Sequence, residues 1–170
     1  MGFDLNGENM KLIKLESSAT KEELLAMLSD NERVNKGVAF DDRRGTPFMH
    51  VKESEGKIRI KCEYIGGASK DNAFIDGTRF SGKITEKNGR TEIKGVITTA
   101  LIFHLILAAF FIAFIGMCIV RQGFSVVPLC LIVFDIFMYK DEFKKQGLIE
   151  RYLMRAVKRL ENDKRTDARR

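Results

Sequence analysis

Few side chains in this sequence could do chemistry, and the two of greatest interest lie among apolar residues. His104 falls in the apolar run Val96–Val120, and Asp135 falls in a second apolar run, residues 124–139. A histidine next to a carboxylate could bind or transfer a proton, or gate a ligand. Alternatively, the pair is a simple packing hydrogen bond, or the Asp135 side chain extends to the membrane interface. The second interpretation is favoured, because two helices alone cannot enclose a conduction path.

The remaining candidate residues predict no catalytic or metal site. The other histidine, His50, falls in a predicted strand, and no two of the three cysteines, Cys62, Cys118 and Cys130, have metal-ligand spacing. The sequence contains no nucleophile motif and no HExxH motif. We therefore predict no catalytic residue, no metal and no cofactor, and we do not expect an enzyme.

Residues 96–139 predict a transmembrane helical hairpin, with helices at about 97–120 and 124–139. Residues 96–120 carry no charge, and at about 1.5 Å per residue they would extend roughly 37 Å, enough to cross a hydrocarbon core of about 30 Å. The second run would extend only about 24 Å, so it either continues past Lys140 or re-enters the same face. A buried helix of a water-soluble protein is the alternative, but so short a chain could not cover it.

The distribution of charge predicts the orientation of this hairpin. Residues 1–95 carry 17 Lys/Arg and 16 Asp/Glu, whereas residues 140–170 carry 11 and 6. The positive-inside rule then places both termini in the cytoplasm, in a multi-pass protein of the cell membrane. Because the basic excess belongs to residues 140–170 and not to the whole chain, nucleic acid is not predicted as a partner.

The first apolar run also carries a stripe of small residues, Ala109, Ala113 and Gly116. This small-xxx-small spacing lets helix backbones approach closely. It predicts a helix contact, and with it a homo-oligomer or a protein partner.

The N-terminal region predicts a small α+β domain, residues 1–95. Thr20 and Glu23 form a capping box before an apolar helical stretch, and Asn88-Gly89 is a strong hairpin signal. We expect an antiparallel sheet of four or five strands with one covering helix. The predicted strands are 10–15, 48–51, 57–65 and the two arms of the hairpin near 80–97.

Residues 140–170 predict a basic amphipathic helix followed by a disordered tail. Its apolar stripe could lie on the inner leaflet of the membrane, pack on the sheet or on another copy, or leave the helix free to bind RNA. The first two readings are favoured. The side chains expected to contact lipid are Lys140, Lys144, Lys145, Arg151, Arg155, Lys158 and Arg159.

Three segments carry a resemblance: FSGKI at 80–84, TEIKGVI at 91–97 and FKKQGLIERY at 143–152. With the apolar hairpin between them, this half of the chain resembles small uncharacterised bacterial membrane proteins that have a cytoplasmic β-rich domain followed by a transmembrane hairpin. The resemblance implies that architecture and a bacterial origin, and it implies no activity.

These observations predict a membrane-anchored cytoplasmic binding or scaffold module, whose sheet recognises a protein partner or a lipid headgroup. One alternative is a subunit of an oligomeric small transporter or channel that uses His104 and Asp135. A membrane-bound enzyme with a site between subunits is a further alternative, for which the sequence offers no residues.

Overall fold

The computed structural model describes residues 10–40, 45–65, 77–87, 89–99, 101–121 and 126–167. The fold is α+β, a five-stranded sheet packed against helices. In chain order the elements are β1 (Met10–Ser17), α1 (Lys21–Ser29), α2 (Asn31–Asn35), β2 (Thr46–Ser54), β3 (Lys57–Ile65), β4 (Arg79–Lys87), β5 (Arg90–Thr98), α3 (Leu101–Arg121) and α4 (Val126–Asp167).

The sheet is antiparallel throughout, with the strand order β1-β5-β4-β3-β2. Successive side chains of a strand point to opposite faces, so alternation in the sequence creates one apolar and one polar face. In β3, Ile58, Ile60 and Cys62 are buried, while Arg59 and Glu63 are exposed. The sheet therefore buries one face and leaves the other open.

Helices α1, α2 and α4 cover the buried face of the sheet. The second half of α4 supplies a continuous apolar stripe at helical spacing. The hydroxyl of Tyr152 donates a 2.7 Å hydrogen bond to the carbonyl of Leu28 and thereby ties α4 to α1. Burial raises the pKa of this hydroxyl well above its usual value. The buried residues of the stripe are Ile149, Tyr152, Leu153, Ala156, Val157 and Leu160.

A capping box fixes the start of α1. The Thr20 hydroxyl accepts from the Glu23 amide at 3.3 Å, and the Glu23 carboxylate accepts from the Thr20 amide at 2.8 Å. The same carboxylate lies 2.8 Å from Lys164 Nζ, so the cap also contacts α4. The hydrogen bond from Lys164 lowers the pKa of Glu23 below its usual value.

Replacing Thr20 by alanine is expected to lower the free energy of unfolding by about 1 kcal/mol, because it leaves an orphan amide in the first turn of α1. Urea denaturation followed by circular dichroism measures this change. Thr20→Ser keeps the acceptor oxygen and is the matched control. Equal unfolding midpoints for the alanine and serine variants would contradict a stabilising cap.

A buried polar clasp joins α4 to the sheet; it consists of Thr78, Thr99, Glu142, Lys145 and Gln146, all buried. The Glu142 carboxylate accepts from the Thr78 amide at 2.7 Å, and the Thr78 hydroxyl donates to the Glu142 carbonyl at 2.8 Å. Gln146 donates to the Thr99 hydroxyl at 2.6 Å, and Lys145 Nζ lies 2.7 Å from Glu142. The clasp holds α4 against the start of β4 and the end of β5.

The predicted transmembrane hairpin is wrong. Within the part of the chain that the structure describes, none of the helices combines the length and the apolarity that a membrane crossing requires. Three further predictions depended on that hairpin and are overturned with it. They are the multi-pass topology, the cell-membrane location and the cytoplasmic placement of both termini.

The predicted fold is corrected in its helices as well. Residues 124–139 and the basic amphipathic stretch were expected to be separate helices, but α4 runs unbroken over 42 residues from Val126 to Asp167. Its second half completes the core, so the sheet is covered by three helices instead of one. The physical reason is that its apolar stripe finds apolar side chains of the sheet to pack against.

Candidate functional site

The open face of the sheet is strongly basic. Among its described residues, ten are lysine or arginine and three are glutamate. No described element covers this face. The basic residues are Lys14, Lys52, Lys57, Arg59, Lys61, Arg79, Lys83, Lys87, Arg90 and Lys94, and the acidic ones are Glu16, Glu63 and Glu92.

Four of these lysines form a row across the sheet, here called the lysine row. The register places Lys14 opposite Lys94, Lys94 opposite Lys83, and Lys83 opposite Lys57. Directly opposite side chains of an antiparallel pair have Cβ atoms only about 5 Å apart, and like charges at that distance destabilise the sheet. The fold therefore contains an arrangement that costs stability and that an anionic partner would relieve.

Glutamates neutralise one end of the lysine row. Glu92 lies 3.3 Å from Lys14 and 2.7 Å from Lys94, and Glu16 lies 3.2 Å from Lys14. The hydrogen bond from Lys94 lowers the pKa of Glu92, and the hydrogen bond to Glu16 raises the pKa of Lys14. At this end the charges compensate each other.

The other end of the lysine row has no such compensation. Among the described residues, no carboxylate pairs with Lys57 or Lys83, and none pairs with Arg59, the next residue on this face of β3. On β3 the residues Lys57, Arg59 and Lys61 follow one another on the same face. The positive potential is therefore concentrated on β3 and β4.

A solvent-open cavity of ≈ 450 Å³ adjoins the compensated end of the row. Four cationic and two anionic side chains line it: Lys14, Lys87, Arg90, Lys94, Glu16 and Glu92. Because its carboxylates already engage Lys14 and Lys94, this cavity attracts an anion less strongly than the uncompensated end.

Two aromatic rings flank the basic residues of β3. Phe48 and His50 lie on the open face of β2, with ring centroids 4.9 Å apart and planes inclined by 60°. His50 is opposite Lys61 in the register, and its Nε2 lies 2.7 Å from the Glu63 carboxylate. Phe48 keeps 37% of its surface exposed. The face thus presents an aromatic surface next to a line of positive charge.

The intramembrane pair that the sequence suggested cannot be located. The side chains of His104 and Asp135 lie outside the described residues, although their positions fall in α3 and α4. A proton-coupled or gating role for them stays a prediction.

The seven basic residues of α4 that were predicted to contact lipid divide into two groups. Lys145 belongs to the polar clasp, and Arg159 donates to the carbonyl groups of Val34 and Lys36. The Arg155 guanidinium lies over the Phe40 ring, 5.9 Å from its centroid, and burial lowers its pKa. The other four, Lys140, Lys144, Arg151 and Lys158, are exposed. Contact of the set with lipid stays a prediction.

The small-residue stripe of α3 is exposed. Ala109, Ala113 and Gly116 all face solvent, and a Cβ atom at Gly116 would meet nothing within 4 Å. Exposed apolar side chains lie on the same helix, among them Ile112 and Ile119. The described residues do not cover this surface, and its contact with a second copy or a partner stays a prediction.

The sequence did not identify the lysine row, but it carried part of the signal. The pattern KIRIK in β3 places its basic residues on one face and its apolar residues on the other. What the sequence lacked was the register, which decides whether such faces meet across neighbouring strands.

No family model, curated protein or solved structure shows a significant similarity to this chain. The resemblance to small bacterial membrane proteins is therefore wrong as an assignment: no family is identified, and the described helices contain no membrane span.

Proposed function

We propose that the protein is a non-catalytic binding module that recognises a polyanionic partner through the open face of its sheet. The observation that supports this is the lysine row, and in particular its uncompensated end at Lys57 and Lys83. A row of like charges costs the fold stability. A bound polyanion would form favourable ion pairs with the same lysines, and their positive charge would attract it over a long distance.

A binding role agrees better than catalysis with the side chains that are described. Cys62 is buried in the core and has no access to a substrate. His50 is on the open face, but its Nε2 already engages Glu63. Within the described residues no cluster of histidine, cysteine and carboxylate side chains could hold a metal ion. The open face therefore offers charged and aromatic side chains for binding, and among the described residues no nucleophile lies beside a base.

Replacing both Lys57 and Lys83 by glutamine is expected to weaken binding to heparin, used as a polyanionic probe, about tenfold. The estimate follows because each exposed ion pair contributes up to about 1 kcal/mol. Elution from a heparin column in a salt gradient and isothermal titration calorimetry measure the effect. The variant should also unfold at the same or a slightly higher temperature, since a repulsive cross-strand pair is removed.

Lys144→Gln combined with Lys158→Gln is the matched control, because it removes the same charge from exposed positions of α4. The control is expected to bind heparin nearly as well as the unaltered protein. If both double variants weaken binding equally, heparin is responding to net charge alone, and the open face is not the binding surface.

A further inference from the structure

We infer that the polyanion is a single-stranded nucleic acid, with its phosphates along β3 and its bases against the aromatic rings of β2. This inference rests on the proposed function and names the partner of the same surface. Proteins that bind single strands combine a line of positive charge with aromatic side chains on which bases stack. The open face places these two features side by side.

The spacing of charge along β3 supports this assignment. Residues two apart on one face of a strand are separated by about 6.6 Å. Lys57, Arg59 and Lys61 occupy three successive positions of this kind. An extended single strand carries one negative charge on every nucleotide, so the phosphates of neighbouring nucleotides can meet Lys57 and Arg59 in turn.

The aromatic rings lie where the bases of such a strand would reach. The register places His50 opposite Lys61 and Phe48 opposite Glu63, on the strand adjacent to β3. Phe48 is on an edge strand and is partly exposed, so a base can approach its ring. Stacking tolerates any base, so binding here would show little sequence preference.

The remaining charges on the open face indicate the path that the nucleic-acid strand would take. Glu16 and Glu92 lie together near the β1 end of the lysine row and would repel phosphates. Glu63 lies at the far end of β3, 2.7 Å from His50, and phosphates close to it would also be repelled. The phosphates therefore run along β3 and β4, away from the glutamate pair.

Two other polyanions fit the open face less well. An extended acidic peptide binds a sheet chiefly through backbone hydrogen bonds at an edge, and the open face offers side chains only. A nucleic-acid duplex is read by elements that enter a groove, and the open face of a sheet has no described element that projects. A single strand needs neither a free sheet edge nor an element that enters a groove, because its charges are on the backbone and its bases are free to stack.

The test measures the affinity of the full chain for four anionic probes. Three of them carry fluorescent labels and nearly equal charge and are followed by fluorescence anisotropy: a twenty-nucleotide oligouridylate, a ten-base-pair duplex and a poly-L-glutamate of twenty residues. The fourth, vesicles of phosphatidylglycerol and phosphatidylcholine, is followed by co-sedimentation. The single strand is expected to bind at least tenfold more tightly than the other three. Arg59→Gln should weaken it and make the slope of log K against log salt shallower by about 0.7, the value for one phosphate of a single strand.

The aromatic contact has a separate signature. Phe48→Leu keeps an apolar side chain without the ring, and it should weaken single-strand binding about tenfold with an unchanged salt slope, whereas Phe48→Trp should preserve binding. Thermal unfolding shows whether each variant is folded. Tighter binding of the duplex, poly-L-glutamate or the vesicles, or an equal affinity for all probes, overturns the inference. If binding of the preferred probe still depends on Lys57 and Lys83, the proposed function is supported although this inference is not. If it does not depend on them, the proposed function and this inference are both contradicted.

Discussion

Replacing Lys145 by methionine is expected to lower the free energy of unfolding by about 3–5 kcal/mol, because the carboxylate of Glu142 loses its cation while it stays buried. The two groups lie 2.7 Å apart, and both side chains are almost fully buried. A buried carboxylate cannot recover solvation when its partner is removed. Urea denaturation measures the loss.

The second variant separates the charge from the hydrogen bond. Glu142→Gln, added to Lys145→Met, removes the unpaired charge and keeps an oxygen that can accept from the Thr78 amide. This double variant is expected to be more stable than Lys145→Met alone, since the penalty of an unpaired charge exceeds that of a neutral amide.

Lys144 provides the matched control for this prediction. It is adjacent to Lys145 in α4 but exposed, so Lys144→Met should change the free energy of unfolding by no more than about 0.5 kcal/mol. Equal urea midpoints for the Lys144 and Lys145 variants would show that the pair at Glu142 does not stabilise the fold.

Local sequence patterns predicted several strands and one helix start well. The strand at 57–65 has the predicted bounds, because its alternation is strict over nine residues. The capping box of Thr20 and Glu23 begins α1 as expected. Both features depend on contacts within a few residues, which a single sequence displays.

Other features depend on contacts that a sequence does not display. The turn between β2 and β3 has positive φ at both Glu55 and Gly56, and glutamate is not a residue that signals such a turn. The sequence allowed the second apolar run to continue past Lys140, but it did not show that one helix runs unbroken as far as Asp167, because the composition changes from apolar to charged at Lys140. Charge averaged over residues 1–95 concealed the basic open face, because cations and anions separate only when the strands pair.

The ring of Phe80 and a pair of facing glycines carry the second large prediction. Phe80 is fully buried, and Gly82 of β4 lies directly opposite Gly95 of β5. A Cβ atom at either glycine would lie 2.5 Å from Cζ of Phe80, so the ring covers both. Each such Cβ would also lie 2.5 Å from a backbone carbonyl of the facing strand. An aromatic ring over glycines of neighbouring strands restores the packing that the glycines lack.

Phe80→Ala is therefore expected to cost about 3–5 kcal/mol, through the cavity that the ring leaves. Gly95→Ala should cost about 1–3 kcal/mol, because the added methyl overlaps the ring and the Ser81 carbonyl. The double variant should cost at least about 0.5 kcal/mol less than the sum, since the methyl enters space that the ring has vacated. The carbonyl contact remains, so the rescue is partial.

Urea denaturation of the four proteins in this cycle measures the coupling, and Gly116→Ala in α3 is the matched control. A methyl at Gly116 meets nothing within 4 Å, and alanine favours a helix, so that variant should be at least as stable as the unaltered chain. Strict additivity of Phe80→Ala and Gly95→Ala would contradict contact between the ring and the glycine. A coupled cycle means that the ring and the glycine pair pack as one unit, which fixes β4 beside β5 and thereby the register that aligns Lys83 with Lys94.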